Sequence, residues 1–452
     1  MRTIFEISKS GMRSAERSLS VTANNVINAD TPGFSRQRVD TTSVGQSLHG
    51  LHRGLGVSVT GITRLRNEMV DVQLGRKRQE MGFLQEKVKI YEQLEASLAT
   101  DSGGDLDIRI GRLFDAFSDL SNDPQDLGVR NNLINEAIQL TIKLGDMDRN
   151  LEQISDNTRQ LAINSVSEIN ELLRDLSVLN KSIQVSKAVN TPDYAALDKQ
   201  VRKLEKLSNL VDIETMTTDN GNLEIRINGI QVLSGEGFRK LVPEVDDISN
   251  TFDLRLENGT KVIPTGGKLA AGIEMYEENI QGLKARLDLI AGVLVGEINE
   301  IHLEGYGLEN NVERSFSDPD FTTAAGIRVN DELVNNHRHI AASSTPGEAG
   351  NSDIAVALAD LRNERIIDGR KPVDYSVELI SDPGSNISRL RTEAGARESE
   401  IRMLEVQQEQ EAGVNIDEEM SKLIQYQNAY QGAARVMASA QQMYDTLISL
   451  VR

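Results

Sequence analysis

Cysteine is absent from the 452 residues, which excludes disulfides, thiolate nucleophiles, iron-sulfur clusters and Cys-ligated zinc. Aromatic residues make up only 4% and apolar residues 38%, a poor recipe for a compact aromatic core and a better one for long amphipathic helices. Long hydrophobic runs are also missing. The longest, Leu289 to Gly296, is closed by Asp288 and Glu297 and falls far short of the roughly 18 residues of a spanning helix, so no transmembrane segment is expected. Charges at Arg2, Glu6, Lys9 and Arg13 leave no uninterrupted apolar stretch of the kind a secretory signal peptide needs; by that rule alone the protein stays in the cytoplasm. Basic charge is in deficit, with 49 Lys and Arg against 69 Asp and Glu and a net charge of −20. Such a surface repels phosphate backbones and anionic bilayers, so neither nucleic acid nor membrane is an expected partner.

What is present is helical periodicity at both ends. Phe5, Met12, Ala15, Leu19, Thr22 and Val26 fall at steps of seven, three, four, three and four, an a/d stripe whose weak member is Ser8. It stops at Asn24, Asn25 and Asn28, and Thr31-Pro32-Gly33-Phe34 follows as a turn, with Pro presetting φ and Gly tolerating positive φ. Gly, Ser and Thr with alternating Val57 and Val59 then predict loops plus short strands to about residue 64. A second helical region covers roughly 79–209, with breaks at Ser102-Gly103-Gly104 and Asn122-Asp123-Pro124; Ile169, Leu172, Leu176, Leu179 and Ile183 keep three-four spacing within it.

Between Val211 and Thr265 the period becomes two, in Leu223–Ile227 and Phe252–Leu256, with turn pairs Asn220-Gly221, Asn228-Gly229 and Asn258-Gly259. Helical spacing returns at Ile273, Tyr276, Ile280, Leu283, Leu287, Ile290 and Leu294. Residues 305–390 are mixed, 391–410 strongly charged, and Ala412-Gly413 marks a break. In the last 40 residues Leu423, Tyr426, Tyr430, Ala433, Met437, Ala440, Tyr444, Leu447 and Val451 keep unbroken three-four spacing, and Met420, Ile424, Ala434 and Ile448 widen the apolar face.

Neither terminal helix has a core of its own, so each must pack on the other or on a neighbour. An intramolecular terminal coiled coil and a contact shared among subunits both satisfy the periodicity; the breadth of the C-terminal apolar face favours the shared core. The expected class is α+β, mainly α: an elongated multidomain chain with paired N- and C-terminal coiled-coil helices, a helical bundle layer and a small inserted antiparallel β domain. The expected domains are 1–45 with 413–452 for assembly, 46–210 with 268–412 as a helix-rich middle with some irregular and β segments, and 211–267 as the inserted β domain.

The residues from Ala23 to Gln37, with the asparagines and the turn above, resemble the N-terminal signature of bacterial flagellar axial proteins. The run from Gly413 through Glu419, with Leu423-Ile424, Gln427 and Ala429-Tyr430-Gln431, is similar to the matching C-terminal end. Within that group, Ser35-Arg36-Gln37, Gly266–Gly272, Glu297–His302 and Val329–Leu333 resemble the hook-associated junction family, without the additional outer domain some members carry. The resemblance implies a non-enzymatic structural subunit at the junction of hook and filament that assembles through its terminal helices. It implies assembly roles for Asn24, Asn25, Asn28, Thr31, Pro32, Gly33, Phe34 and Arg36, and for the nine-residue C-terminal stripe from Leu423 to Val451. The bland reading of the N-terminal motif is a helix stop with no partner.

The implied partners are further copies in a ring or helical lattice, the hook protein, a second junction protein, and a secretion chaperone on the C-terminal helix. The implied place is the extracellular flagellum, reached through its own export channel without a cleaved signal peptide, and a chain free of cysteine and low in proline suits transit in an unfolded state. Two alternatives stay open at this point: a hook- or rod-type axial protein, and a helical oligomeric binding protein unrelated to flagella.

Little points to chemistry. Of five histidines, His49 with His52 and His337 with His339 lie near each other, the second pair expected on one face of a strand, but no third ligand is recognisable. No nucleophile elbow, P-loop or dinucleotide fingerprint occurs, and acidic pairs such as Glu277-Glu278, Asp246-Asp247 and Glu418-Glu419 read as solvated helix faces. No catalytic residue, cofactor or metal is therefore expected. Residues 1–40 carry six basic and four acidic side chains, and 413–452 three and four. Nearly neutral ends thus enclose an acidic body, as dense packing at the ends requires.

Overall fold

The computed structural model describes all residues except 1, 49–50, 99–105, 190, 219–221, 247–248, 310–311 and 452. In chain order the first half holds α1 (Arg2–Ile27), β1 (Gln37–Leu48), β2 (Leu51–Arg64), α2 (Glu68–Leu98), α3 (Leu106–Asn122), α4 (Leu127–Ala188) and α5 (Tyr194–Leu210). Seven short strands follow: β3 (Glu214–Thr217), β4 (Leu223–Ile227), β5 (Ile230–Ser234), β6 (Gly237–Phe238), β7 (Leu241–Asp246), β8 (Thr251–Leu256) and β9 (Lys261–Val262). The rest is helical: α6 (Gly267–Glu274), α7 (Ile280–Leu303), α8 (Asp331–Asn335), α9 (Asp353–Asp360), α10 (Pro372–Ala412) and α11 (Ile416–Val451). The mainly helical α+β class follows from this order. Among the described residues no helix is long and apolar enough to cross a membrane.

The chain divides into two compact units. The first comprises Met1–Gln79, Asn170–Lys240 and Arg397–Arg452. In it β1 and β2 form a two-stranded antiparallel sheet and β3 to β6 a four-stranded one. The expected loops and short strands after the turn are in fact strands of 12 and 14 residues; Gly and Ser dilute the alternation so far that it reads as loop. Asn228 at φ 46° and Gly229 at φ 75° form the left-handed pair that joins β4 to β5, as the Asn-Gly signal predicted. Asn180 of α4, 1% exposed, ties the four-stranded sheet in place. Its Nδ2 donates to the carbonyls of Leu223 and Gly235, both at 2.8 Å, and its Oδ1 accepts from Leu223 N and Gln200 Nε2, so every polar atom of the buried amide is satisfied.

The second unit comprises Glu80–Ile169 and Leu241–Ala396 and holds the largest core, in which Phe114, Phe117, Leu133, Leu144, Leu287, Ile290 and Phe316 are buried. It also holds the three-stranded sheet β7-β8-β9, so residues 211–267, expected as one β domain, form two sheets, one in each unit. Asn220-Gly221 and Ser102-Gly103-Gly104 include residues outside the described set. The helix expected around Ile273 to Leu294 carries a π turn at Met275–Asn279. That extra residue keeps Met275 and Ile280, five apart and both fully buried, on the same face, which a plain 3.6-residue repeat does not do.

His302 lies in this core, fully buried at 0% exposure. Its Nδ1 donates to the Arg314 carbonyl at 2.7 Å, and its Nε2 accepts from Ala341 N at 2.9 Å, an arrangement that only the neutral ring can make. Burial pushes its pKa from 6.5 down to about 4, with the nearby Arg130 and Arg314 adding to the fall. A base whose folded pKa is depressed costs stability once the unfolded chain begins to take up its proton. The loss therefore starts as pH falls through about 6.5, reaches about 3 kcal/mol near pH 4 and goes no further. Denaturant titration of the wild type and His302→Gln at pH 7 and pH 4.5 checks this: the wild type should lose more stability than the variant, and equal losses would refute it.

Candidate assembly site

In the first unit α1 packs along α11, and the sequence explains how closely. The α1 side of the contact is Ser8, Ala15, Ser18, Thr22 and Asn25, all buried, with Gly11 between them. A methyl group built on Gly11 would lie 3.6 Å from Ala433 Cβ of α11, ordinary van der Waals contact, so the helices here pack at a spacing that suits small side chains. The seam is thus rotated from the stripe that hydrophobicity alone picks out: Phe5 is 37% exposed, and Met12, Leu19 and Val26 are only half-buried. Small side chains win the inner face because they permit close approach, and the Ser8 hydroxyl costs little there since it donates to the Ile4 carbonyl at 2.8 Å.

On α11, Leu423, Tyr426, Tyr430, Ala433 and Met437 are half-buried and Ala440 is buried. Further along, Tyr444 and Leu447 are 55% and 48% exposed; the side chain of Val451 lies outside the described residues. Met420, Ile424, Val436, Met443 and Ile448 stand exposed on the flanks. These exposed apolar side chains of α11 therefore have no cover among the described residues.

Polar bonds lock the base of the pair. Asn28 Nδ2 donates to the Asn24 carbonyl at 2.9 Å, closing α1, and Phe34 N donates to the Thr31 carbonyl across the turn. Gly33 sits at φ 74°, as the turn demands. A side chain there would meet Arg202 Cγ of α5 at 2.9 Å, while Arg202 Nη1 donates to the Pro32 carbonyl at 2.7 Å. Beyond the turn the chain returns to α1, with Asn25 Nδ2 donating to Gln37 O and Gln37 N to Asn25 Oδ1.

Into this corner comes Glu419, whose side chain is 2% exposed. It accepts from Asn25 Nδ2 at 2.8 Å and from Arg36 Nε at 3.0 Å, with Lys422 Nζ at 3.3 Å. Arg36 also reaches Glu418 at 3.1 Å, and its backbone N donates to the Ala412 carbonyl. Lys422 and Arg36 hold the Glu418 carboxyl below the usual carboxylate range. A cavity of about 70 Å³ borders the same residues, lined among others by Thr22, Arg36, Glu419 and Tyr426.

Asn25 and Arg36 thus join the two ends of the chain directly. Asn24, Asn28, Thr31, Pro32, Gly33 and Phe34 shape the approach, and α5 rather than α11 meets the turn. Sequence reasoning missed Glu419, Lys422, Gln37 and Arg202. Glu419 had left a signal: it stands four residues before Leu423, on the register of the apolar stripe, and a carboxylate on such a seam requires a cation from the facing side. The expected strand under His337 and His339 is a 3-10 turn, in which Asn336 fixes His339 Nε2 at 3.1 Å. His49 and the side chain of His52 lie outside the described residues.

Residues 91–316 match the family described as flagellar hook-associated protein FlgK helical domain, which is half of the chain. The chain belongs to the flagellar hook-associated protein FlgK family. Residues 409–450, which hold all but the last residue of α11, match the flagellar basal body rod FlgEFG protein C-terminal region, so the hook-associated assignment comes from the helical domain and the terminal helix is of a kind that rod proteins share. Flagellar hook-associated protein 1 of Bacillus subtilis (strain 168) is 24% identical over 98% of this chain and 97% of its own. That of Salmonella typhimurium is 23% identical, covering 100% of both, in an alignment of 559 positions against 452 residues here; it carries sequence that this chain lacks. The solved flagellar hook junction protein FlgK from Burkholderia pseudomallei superimposes with a TM-score of 0.65 at 11% identity, over 74% of this chain and 99% of that one, which shows a shared fold. As a FlgK-family member the protein is a structural, hook-associated component of the extracellular flagellum.

Proposed function

We propose that this chain is the subunit that joins hook to filament, and that residues 1–45 with 413–452 form its assembly domain. The observation that carries the reading is the terminal helix pair itself: α1 and α11 are fastened at one end by the Asn25–Glu419–Arg36 corner, while the apolar flank from Met420 to Ile448 is left open. Burying that flank against further copies in a ring or lattice removes it from water. The hook protein on one side and a second junction protein on the other are the partners this role requires. A secretion chaperone covering α11 before export, and export without cleavage, complete the reading. No catalytic role is proposed for any residue.

Electron microscopy of purified hooks incubated with the protein tests it directly. Added density at the distal end alone is expected; binding along the shaft or none would refute it. Two tyrosines divide fold from assembly. Tyr444 is 55% exposed, so Tyr444→Ala should leave the unfolding midpoint of the free chain within about 2 °C of wild type and weaken addition to hooks by about tenfold. Tyr430 is half-buried, and Tyr430→Ala should lower both. Equal behaviour of the two variants would argue against the division.

A further inference from the structure

The β1–β2 sheet holds a second surface that the terminal helices do not account for. One of its edges is occupied by the fold: Val57 N of β2 donates to Ser10 Oγ of α1 at 3.2 Å, and the Ile62 carbonyl accepts from Tyr194 of α5. Since Val57 N–H points away from β1, Val57 and its cross-strand partner Ser43 form a non-hydrogen-bonded pair. Ser43 must then also turn its N–H and C=O outward, on the opposite edge, and Thr41, paired with Val59 two residues along, does the same. Register shifts at Asp40/Thr41 and Val44/Gly45 bracket this stretch, leaving residues 41–44 as a regular, exposed edge.

Soluble proteins guard such edges with bulges, Lys, Pro or inward charges; here the two register shifts confine the open edge to four residues, and those four carry no Lys, Pro or charge. In a chain of net charge −20, the two longest stretches without Asp or Glu are Thr41–Asn67, of 27 residues, and Met420–Tyr444, of 25. The second is the body of α11. Two copies of an acidic chain repel each other least where neither presents acid, and these are the two places where that condition holds longest.

We propose that the Thr41–Val44 edge of β1 accepts an extended backbone segment of a second copy of this chain, a strand-addition contact formed beside the helical one. The inference rests on the assembly reading of α11, and the test separates the two. Because the chain has no cysteine, Ser43→Cys and, separately, Met443→Cys on α11 can each carry a single maleimide-linked benzophenone in the full-length protein added to purified hooks. Illumination should give chain-to-chain adducts from both positions. Adducts from position 443 but none from 43, or adducts of 43 with a different protein only, would overturn the edge contact and leave the helical reading intact. Failure at both positions would overturn both. Ser43→Pro gives an independent reading: it removes an N–H that bonds nothing in the described chain. It should leave the unfolding midpoint of the free protein unchanged and weaken addition to hooks by about tenfold; unchanged addition would sink the proposal.

Discussion

Glu419→Ala should lower the stability of the first unit by about 3–5 kcal/mol, because it leaves the Arg36 guanidinium, 15% exposed, without its buried counter-charge and removes the acceptor for Asn25. Arg36→Ala should do less damage, because the buried carboxylate keeps Asn25 at 2.8 Å and Lys422 at 3.3 Å. The two losses share one cause, so the double variant should be little worse than Glu419→Ala alone. Denaturant titration of the four proteins measures the coupling, and simple additivity would show that the ion pair does not hold the helix ends together. Glu419→Gln is the informative intermediate, since the amide can still accept from Asn25 but loses its charge toward Arg36 and Lys422. If the corner sets the angle at which α1 leaves the turn, that variant should also join hooks less well while its α-helical content stays constant.

Arg130→Met should destabilise the second unit by a comparable ~3–5 kcal/mol, seen as an unfolding midpoint lower by about 10 °C. Arg130 is 0% exposed. Its Nε and Nη2 donate to the Pro124 carbonyl at 2.8 and 2.6 Å, and Nη1 to the Ile340 carbonyl at 2.6 Å, so one side chain fastens the α3–α4 turn to the segment that follows His337. Burial, reinforced by Arg338, lowers its pKa to about 10, still protonated at neutral pH. Methionine fills much of the volume and none of the donor roles, which leaves the carbonyls buried and unpaired. Arg130→Lys should recover only part of the loss, because an ammonium lacks the planar fork that reaches both carbonyls at once. Full recovery would mean that charge, not geometry, is what the site needs.

The sequence made the helices legible wherever one face is apolar and long enough to repeat. Leu223–Ile227 appears in the structure with the bounds its period-two pattern implied, and α3 ends at Asn122, at the expected break. Three features escaped, each for a physical reason. The π turn at Met275–Asn279 is one residue of slippage, invisible to a pattern that tolerates steps of three or four. The expected stripe of α1 held Ser8, Ala15 and Thr22, which are buried, but hydrophobicity put Met12 and Leu19 beside them where the structure puts Gly11 and the buried Ser18. The long β1–β2 pair was diluted by polar and glycine residues, since its alternation is confined to a short run around Val57 and Val59 of β2.

The seam between α1 and α11 has an energetic corollary. Apolar burial contributes roughly 0.8 kcal/mol per methylene, and Ser8, Gly11, Ala15, Ser18, Ala433 and Ala440 have almost none to offer. On α1 the buried side chains are slight, while Phe5, and Met443, Tyr444 and Leu447 on α11, stand exposed. Within one chain, then, apolar burial along this seam contributes little, and the Asn25–Glu419–Arg36 corner supplies a large share of what fastens α1 to α11.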